Sequence, residues 1–139
     1  MLAEDQYLET KVMTATPWQL HLMVVDAAIR KAVVAREALE KRNYETAHFS
    51  LNGSRDCLTE LIGGLNAEHH PELVERLKAL FAFCFRNLAE ADLHHDPNRA
   101  ADALRILRMH RETWMALGEQ VRQANSESSR SASQRSWDK

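Results

Sequence analysis

Glycine and proline are scarce: the 139 residues hold four and three of them, too few for the many tight turns of a β-sandwich or barrel. Long uninterrupted helices are the natural product of such a composition. Only two cysteines occur, Cys57 and Cys84, each inside an apolar stretch of helical spacing, and the N-terminus carries no secretory signal pattern. Reduced, buried thiols in a cytosolic protein are expected, without a disulfide framework. No apolar run approaches the roughly 18–20 residues that span a bilayer, because the richest, Leu20 to Val34, is interrupted by His21, Asp26, Arg30 and Lys31. A membrane span is excluded. Charge of one sign is also lacking: 18 basic and 20 acidic side chains interleave to a formal net charge of -2, leaving no basic stripe for a phosphate backbone. Nucleic acid is therefore not an expected partner.

What the chain does have is hydrophobic periodicity, in 45% of its residues, at a length suited to one domain with one core. Residues 1–15 hold Leu2, Tyr7, Leu8, Val12 and Met13, enough to dock as a short helix or strap. Thr16 and Pro17 then signal a helix start, since a Thr side chain caps free N–H groups and Pro at the first position needs none of its own. The first long helix is predicted from Pro17 to Arg42 with two adjoining apolar stripes. One runs through Trp18, Leu22, Val25, Ile29 and Val33, the other through Leu20, Met23, Val24, Ala27 and Val34. Such a wide face means either a central buried position or surface kept for a partner.

A second long helix is predicted from Tyr44 to Leu61, where Tyr44, Ala47, Leu51, Ser54, Leu58 and Leu61 follow a seam spacing of three and four. Gly63 and Gly64 should close it through a left-handed residue, with a turn over Asn66 to His70. Pro71 opens a third, with Val74, Leu77, Phe81, Cys84, Leu88 and Ala91 on its seam and an end near His94 and His95. Asp96 caps a fourth starting at Pro97, with Ala103, Leu107, His110, Trp114, Leu117 and Val121 toward the core. Short connections imply an all-α, antiparallel up-down-up-down four-helix bundle over residues 16–124, preceded by the arm of residues 1–15. From Asn125 to Lys139 the chain turns Ser-rich and aperiodic, and a disordered tail is expected.

No catalytic constellation stands out. Glu45 and His48 form one Glu-x-x-His motif and Asp92 with His95 an Asp variant, but a ferritin-like di-iron site needs two such motifs and further carboxylates on the core seam. A metal site is therefore not expected, and the histidines at 69–70 and 94–95 are read as helix-end residues. His110 differs, falling on an apolar seam, where it should pack its ring and donate to a backbone carbonyl. The cysteines lack a positioned base, and Gly53, Gly63 and Gly64 do not form a phosphate loop. No cofactor is implied, and the chain is not expected to be an enzyme.

The stretch from Tyr7 to Arg30 resembles the opening of the flagellar secretion chaperone FliS family. There a tyrosine precedes a valine, a Thr-Ala-Ser/Thr-Pro turn and a helix reading Leu-x-Leu-Met-Leu-Tyr-Asp-Gly-Ala-Ile-Arg. Tyr7, Val12, Thr14 to Pro17, Leu20, Leu22, Met23, Asp26, Ala28, Ile29 and Arg30 agree with it. Leu65-Asn66, Leu77, Leu80, the Arg86-x-Leu88-x-Glu90-Ala91 segment, Asp96, Arg111 and Trp114 follow in the family's order, so the likeness covers Tyr7 to Leu117. Val25, Phe81 and Phe83 stand where the family has tyrosines, Ala27 where it has glycine, and His110 where it has leucine. The resemblance implies a cytoplasmic export chaperone that binds the disordered C-terminal segment of flagellin, blocks premature polymerisation and delivers it to the flagellar export machinery, with a co-chaperone as a further partner. The expected contact residues are Tyr7 and Val12 in the arm and Leu20, Met23, Val24 and Ala27 on the second stripe. Two other roles fit the same pattern, a helical adaptor for a different export substrate and a ferritin-like metalloprotein.

Overall fold

The computed structural model describes residues 3–137, and within them the side chains of residues 3–11 and 14–132. The chain forms five helices: α1 Ala3–Thr14, α2 Pro17–Glu40, α3 Tyr44–Gly63, α4 Pro71–His94 and α5 Pro97–Trp137. Among the described residues there is no strand, and no helix is long and apolar enough to cross a membrane. Helix α2 packs on α3 and α5, and α4 packs on the same two, so α2 and α4 stand diagonally across a four-helix bundle. None of the substantial interfaces involves α1.

Local chemistry explains the boundaries. Thr16 accepts from the Gln19 backbone N–H at 3.1 Å while the Gln19 side chain accepts from the Thr16 N–H at 2.9 Å, a reciprocal capping box ahead of Pro17. Asn43 caps α3 by accepting from the Thr46 N–H, and Asp96 accepts from the Asn98 N–H at the start of α5. The end of α3 corrects one expectation: no glycine has positive φ, and Gly64 closes the helix at φ -84° with its N–H bonded to the Glu60 carbonyl. The left-handed residues are instead Arg42 at φ 58° and His95 at φ 52°. His95 adopts it while its ring stacks on Tyr44, centroids 3.8 Å apart, which ties the end of α4 to the start of α3.

The core joins α2 through α5 around Phe81, Leu51, Leu58, Leu88, Leu104 and Leu107. On α2 the buried line is Val25, Ala28, Ala32, Ala35, Ala38 and Leu39, which shares Val25 with the first predicted stripe and otherwise lies between the two. Alanines there let α3 and α5 approach the α2 backbone closely, and the larger stripe residues are left at the flanks. Ser54, fully buried on α3, donates to the Ala28 carbonyl at 2.8 Å, so its hydroxyl is satisfied inside that contact.

Residues 125–137, expected as a disordered tail, continue α5 as helix. No glycine or proline follows Gly118 to stop the backbone ladder. The lost periodicity marks a loss of packing instead, since every side chain from Glu119 to Ala132 is exposed. Helix α1 is likewise exposed at every described side chain, with Tyr7 70% and Leu8 54% accessible.

Candidate functional site

A cleft of about 470 Å³ opens at the end of the bundle where α2 begins. Trp18, Leu20, His21 and Val24 of α2 form one wall, Leu61 and Leu65 at the end of α3 the floor, and Leu73, Val74 and Leu77 of α4 the other wall. Glu60, Asn66 and His70 place polar groups around it, and Trp114 of α5 closes the back. The connection between α3 and α4, residues 64–70, contributes Gly64, Leu65, Asn66 and His70 to the lining.

Its back wall is fixed by reciprocal bonds. The Trp18 indole N–H donates to the Trp114 carbonyl, and the Trp114 indole N–H donates to the Trp18 carbonyl, both at 3.2 Å. Gly118, one turn on, lies directly against the Trp18 ring, so absence of a side chain there is what admits the indole. Below them, His21 and His110 meet Nε2 to Nε2 at 2.8 Å, one ring donating to the bare nitrogen of the other. Phe81 meets the His110 ring edge-on at 5.0 Å, and Trp114 lies 4.1 Å from His21. Burial and the adjacent His110 lower the His21 pKa from 6.5 to about 4, and burial lowers that of His110. Both rings are neutral near pH 7. The partner of His110 is thus a second histidine and not the backbone carbonyl expected for it. Further along the same interface Arg111 donates to Asp26 at 2.6 Å, joining two of the residues that carry the family resemblance.

Of the contact residues named from the sequence, Leu20 and Val24 line the cleft. Met23 is half-buried outside it, and Ala27 packs against the core. Tyr7 stands exposed on α1, no described side chain of which lines the cleft, and Val12 lies outside the described side chains. Trp18, His21, Leu65, Leu73, Val74, Leu77 and Trp114 were missed as a group. Their common signal was available only as apolar residues clustered at helix ends, which periodicity assigns to the core.

The two His motifs weighed for metal converge differently. His48 and Asp92 pair at 2.7 Å, and Arg55 also donates to Asp92 at 3.1 Å, so that carboxylate already serves two cationic or polar donors. Among the described residues no group of three or more His, Cys, Asp or Glu is arranged to hold a metal. Burial raises the Cys84 thiol to about 12 and raises Cys57 too, although Lys31 lies 3.8 Å from the Cys57 sulfur. Neither is a ready nucleophile near pH 7.

The described helices thus form a bundle that leaves an apolar trough with polar margins at one end. The model of the family described as flagellar protein FliS matches residues 1–121, and the chain belongs to that family. It is similar to the flagellar secretion chaperone FliS of Bacillus subtilis, 26% identical over 108 residues that cover 78% of this chain and 80% of the relative. The protein of the same name from Salmonella typhimurium is 29% identical, covering 77% and 80%, and that from Escherichia coli 26%, covering 77% and 79%.

Proposed function

We propose that this protein is a cytoplasmic export chaperone that binds the disordered C-terminal segment of flagellin in the cleft at the start of α2. Binding withholds that segment from polymerisation until the export machinery receives it, and no catalytic step is involved. This function is carried by one observation: a cleft of about 470 Å³, lined mainly by Leu, Val and Trp side chains, that the chain's own helices leave open. A disordered amphipathic segment folding as a helix can seat anchors on Leu20, Val24 and Leu77, and the entropy lost on ordering keeps the complex reversible. Tyr7 and Val12 take part when α1 folds over the cleft mouth, hinged at Ala15 and Thr16. Residues 16–124 form the chaperone unit, running up-down-up-down. The brief connections 41–43 and 95–96 support that course, as does the order of the pairs Trp18 with Gly118 and Asp26 with Arg111.

The test is calorimetric titration with a peptide from the flagellin C-terminus of the same genome. Saturable binding with a negative heat-capacity change is expected, as apolar surface leaves water. Leu20→Glu places a charge in the half-exposed wall and should weaken binding at least tenfold with little change in stability. Absence of saturable binding to any flagellin peptide would refute the assignment.

A further inference from the structure

Within the cleft, hydrogen-bonding capacity is left unused at one side chain. Glu60, Asn66 and His70 are exposed at the margin, where water serves them whether or not a client is bound. Both indole N–H groups inside are already spent, each on the other tryptophan's carbonyl. Apart from those tryptophans, His21 is the one polar side chain that α2, α4 and α5 contribute to the lining.

Its ring is half-buried, and one nitrogen, Nε2, is held by His110 at 2.8 Å. The other, Nδ1, has no hydrogen-bond partner among the described residues. No side-chain nitrogen or oxygen among those residues is both sealed from solvent and unpaired, so Nδ1 is open to water. The direction of the ring is set: Trp114 lies tilted against it at 4.1 Å, Phe81 stands 5.8 Å away and His110 anchors the Nε2 edge. Little freedom is lost when a guest aligns with it.

Charge narrows what can answer Nδ1. Both rings are neutral near pH 7 and no lysine or arginine lines the cleft, so a carboxylate entering it would lose its water without gaining a cation. An ammonium would meet a neutral ring among apolar walls, with Glu60 left solvated at the margin. The bond between the rings can run either way. When His21 donates, its Nδ1 is a bare acceptor, and when His110 donates, that Nδ1 carries the proton and donates. Amide and hydroxyl side chains can meet either form, whereas an aliphatic one leaves the nitrogen dry and unpaired.

We propose that His21 Nδ1 selects the client: the bound segment places an uncharged amide or hydroxyl side chain, Asn, Gln, Ser or Thr, on this atom between its apolar anchors. His110 is the positioning residue, acting through its bond to Nε2. The selection rests on the cleft being the client site.

Calorimetric titration of the full chain tests it, with the flagellin C-terminal peptide of the same genome and a panel in which each Asn, Gln, Ser and Thr of that peptide is replaced in turn by Leu or Val. One replacement should weaken binding about tenfold, the effect of leaving one buried polar group unpaired. His21→Leu combined with His110→Leu removes both rings and leaves neither orphaned. Against that variant the same replacement should cost nothing or strengthen binding, a reversal of preference that no loss of folding imitates. Nitrogen NMR reads the unaltered chain directly: the His21 Nδ1 resonance should move on adding the parent peptide and stay in place on adding the replaced one. His110→Leu alone frees the ring and should lower the preference severalfold, and a preference untouched by it would deny His110 its part. Replacements that act equally on both proteins, or an Nδ1 resonance that the parent peptide does not move, overturn the proposal and leave the chaperone assignment standing. Absence of saturable binding to any flagellin peptide overturns both.

Discussion

Replacing Gly118 by alanine sets two effects of opposite sign against each other. In the interior of α5, alanine is favoured over glycine by about 1 kcal/mol through helix propensity alone. The new Cβ would stand 2.7 Å from the Trp18 indole nitrogen and closer still to Cζ2 and Cε2, far inside ordinary contact distance. A rigid ring pinned by its bond to the Trp114 carbonyl has to move bodily. Overpacking of this kind costs about 1–3 kcal/mol, and breaking the Trp18 hydrogen bond adds about 0.5–1.5 kcal/mol. Set against the propensity gain, the net expectation is a destabilisation of about 1–3 kcal/mol, a fall in Tm of roughly 3–10 °C for a chain of this size. Circular dichroism melts measure the stability. Fluorescence in a Trp137→Phe background, where only Trp18 and Trp114 emit, should show a red shift as the indole is pushed toward water. A variant as stable as the parent, or more so, with unchanged emission would refute the packing of Trp18 against Gly118, and with it the back wall of the cleft.

Acid should loosen the same wall. The folded-state His21 pKa lies near 4 against 6.5 unfolded, so its contribution is fully present above pH 6.5 and is lost as pH falls toward 4. Discounted for the solvent reaching the half-exposed ring, the loss is about 1–2 kcal/mol, and urea titrations at stepped pH should show His21→Leu with a shallower acid slope than the parent. An identical slope would show that this histidine does not titrate against folding. Phe81→Ala removes the largest fully buried side chain and should cost about 3–5 kcal/mol in urea unfolding, whereas a value below about 1 kcal/mol would deny Phe81 its central place. Arg111→Met breaks the bond to Asp26, but both groups are partly exposed, so chemical denaturation should register no more than about 1 kcal/mol.

The helices were legible because their signals are local. Thr16-Pro17 and Asp96-Pro97 mark where backbone donors are capped, Pro71 opens α4 without a side-chain cap, and seam spacing of three and four runs through Leu51, Leu58, Phe81, Leu88 and Leu107. The residues that carry the family likeness were equally plain in the order of the chain. Three matters were decided only when helices met. Alanines 28, 32, 35 and 38 make up most of the core line of α2, with Val25 the one residue it shares with the predicted stripes, because the closest approach between helices goes to the smallest side chains. His110 found His21 across the bundle, 89 positions away, where no spacing along one helix could point. The cleft itself belongs to no single helix: it is lined by α2, α3, α4 and α5 together, and a sequence records apolar side chains without recording which of them their neighbours fail to cover.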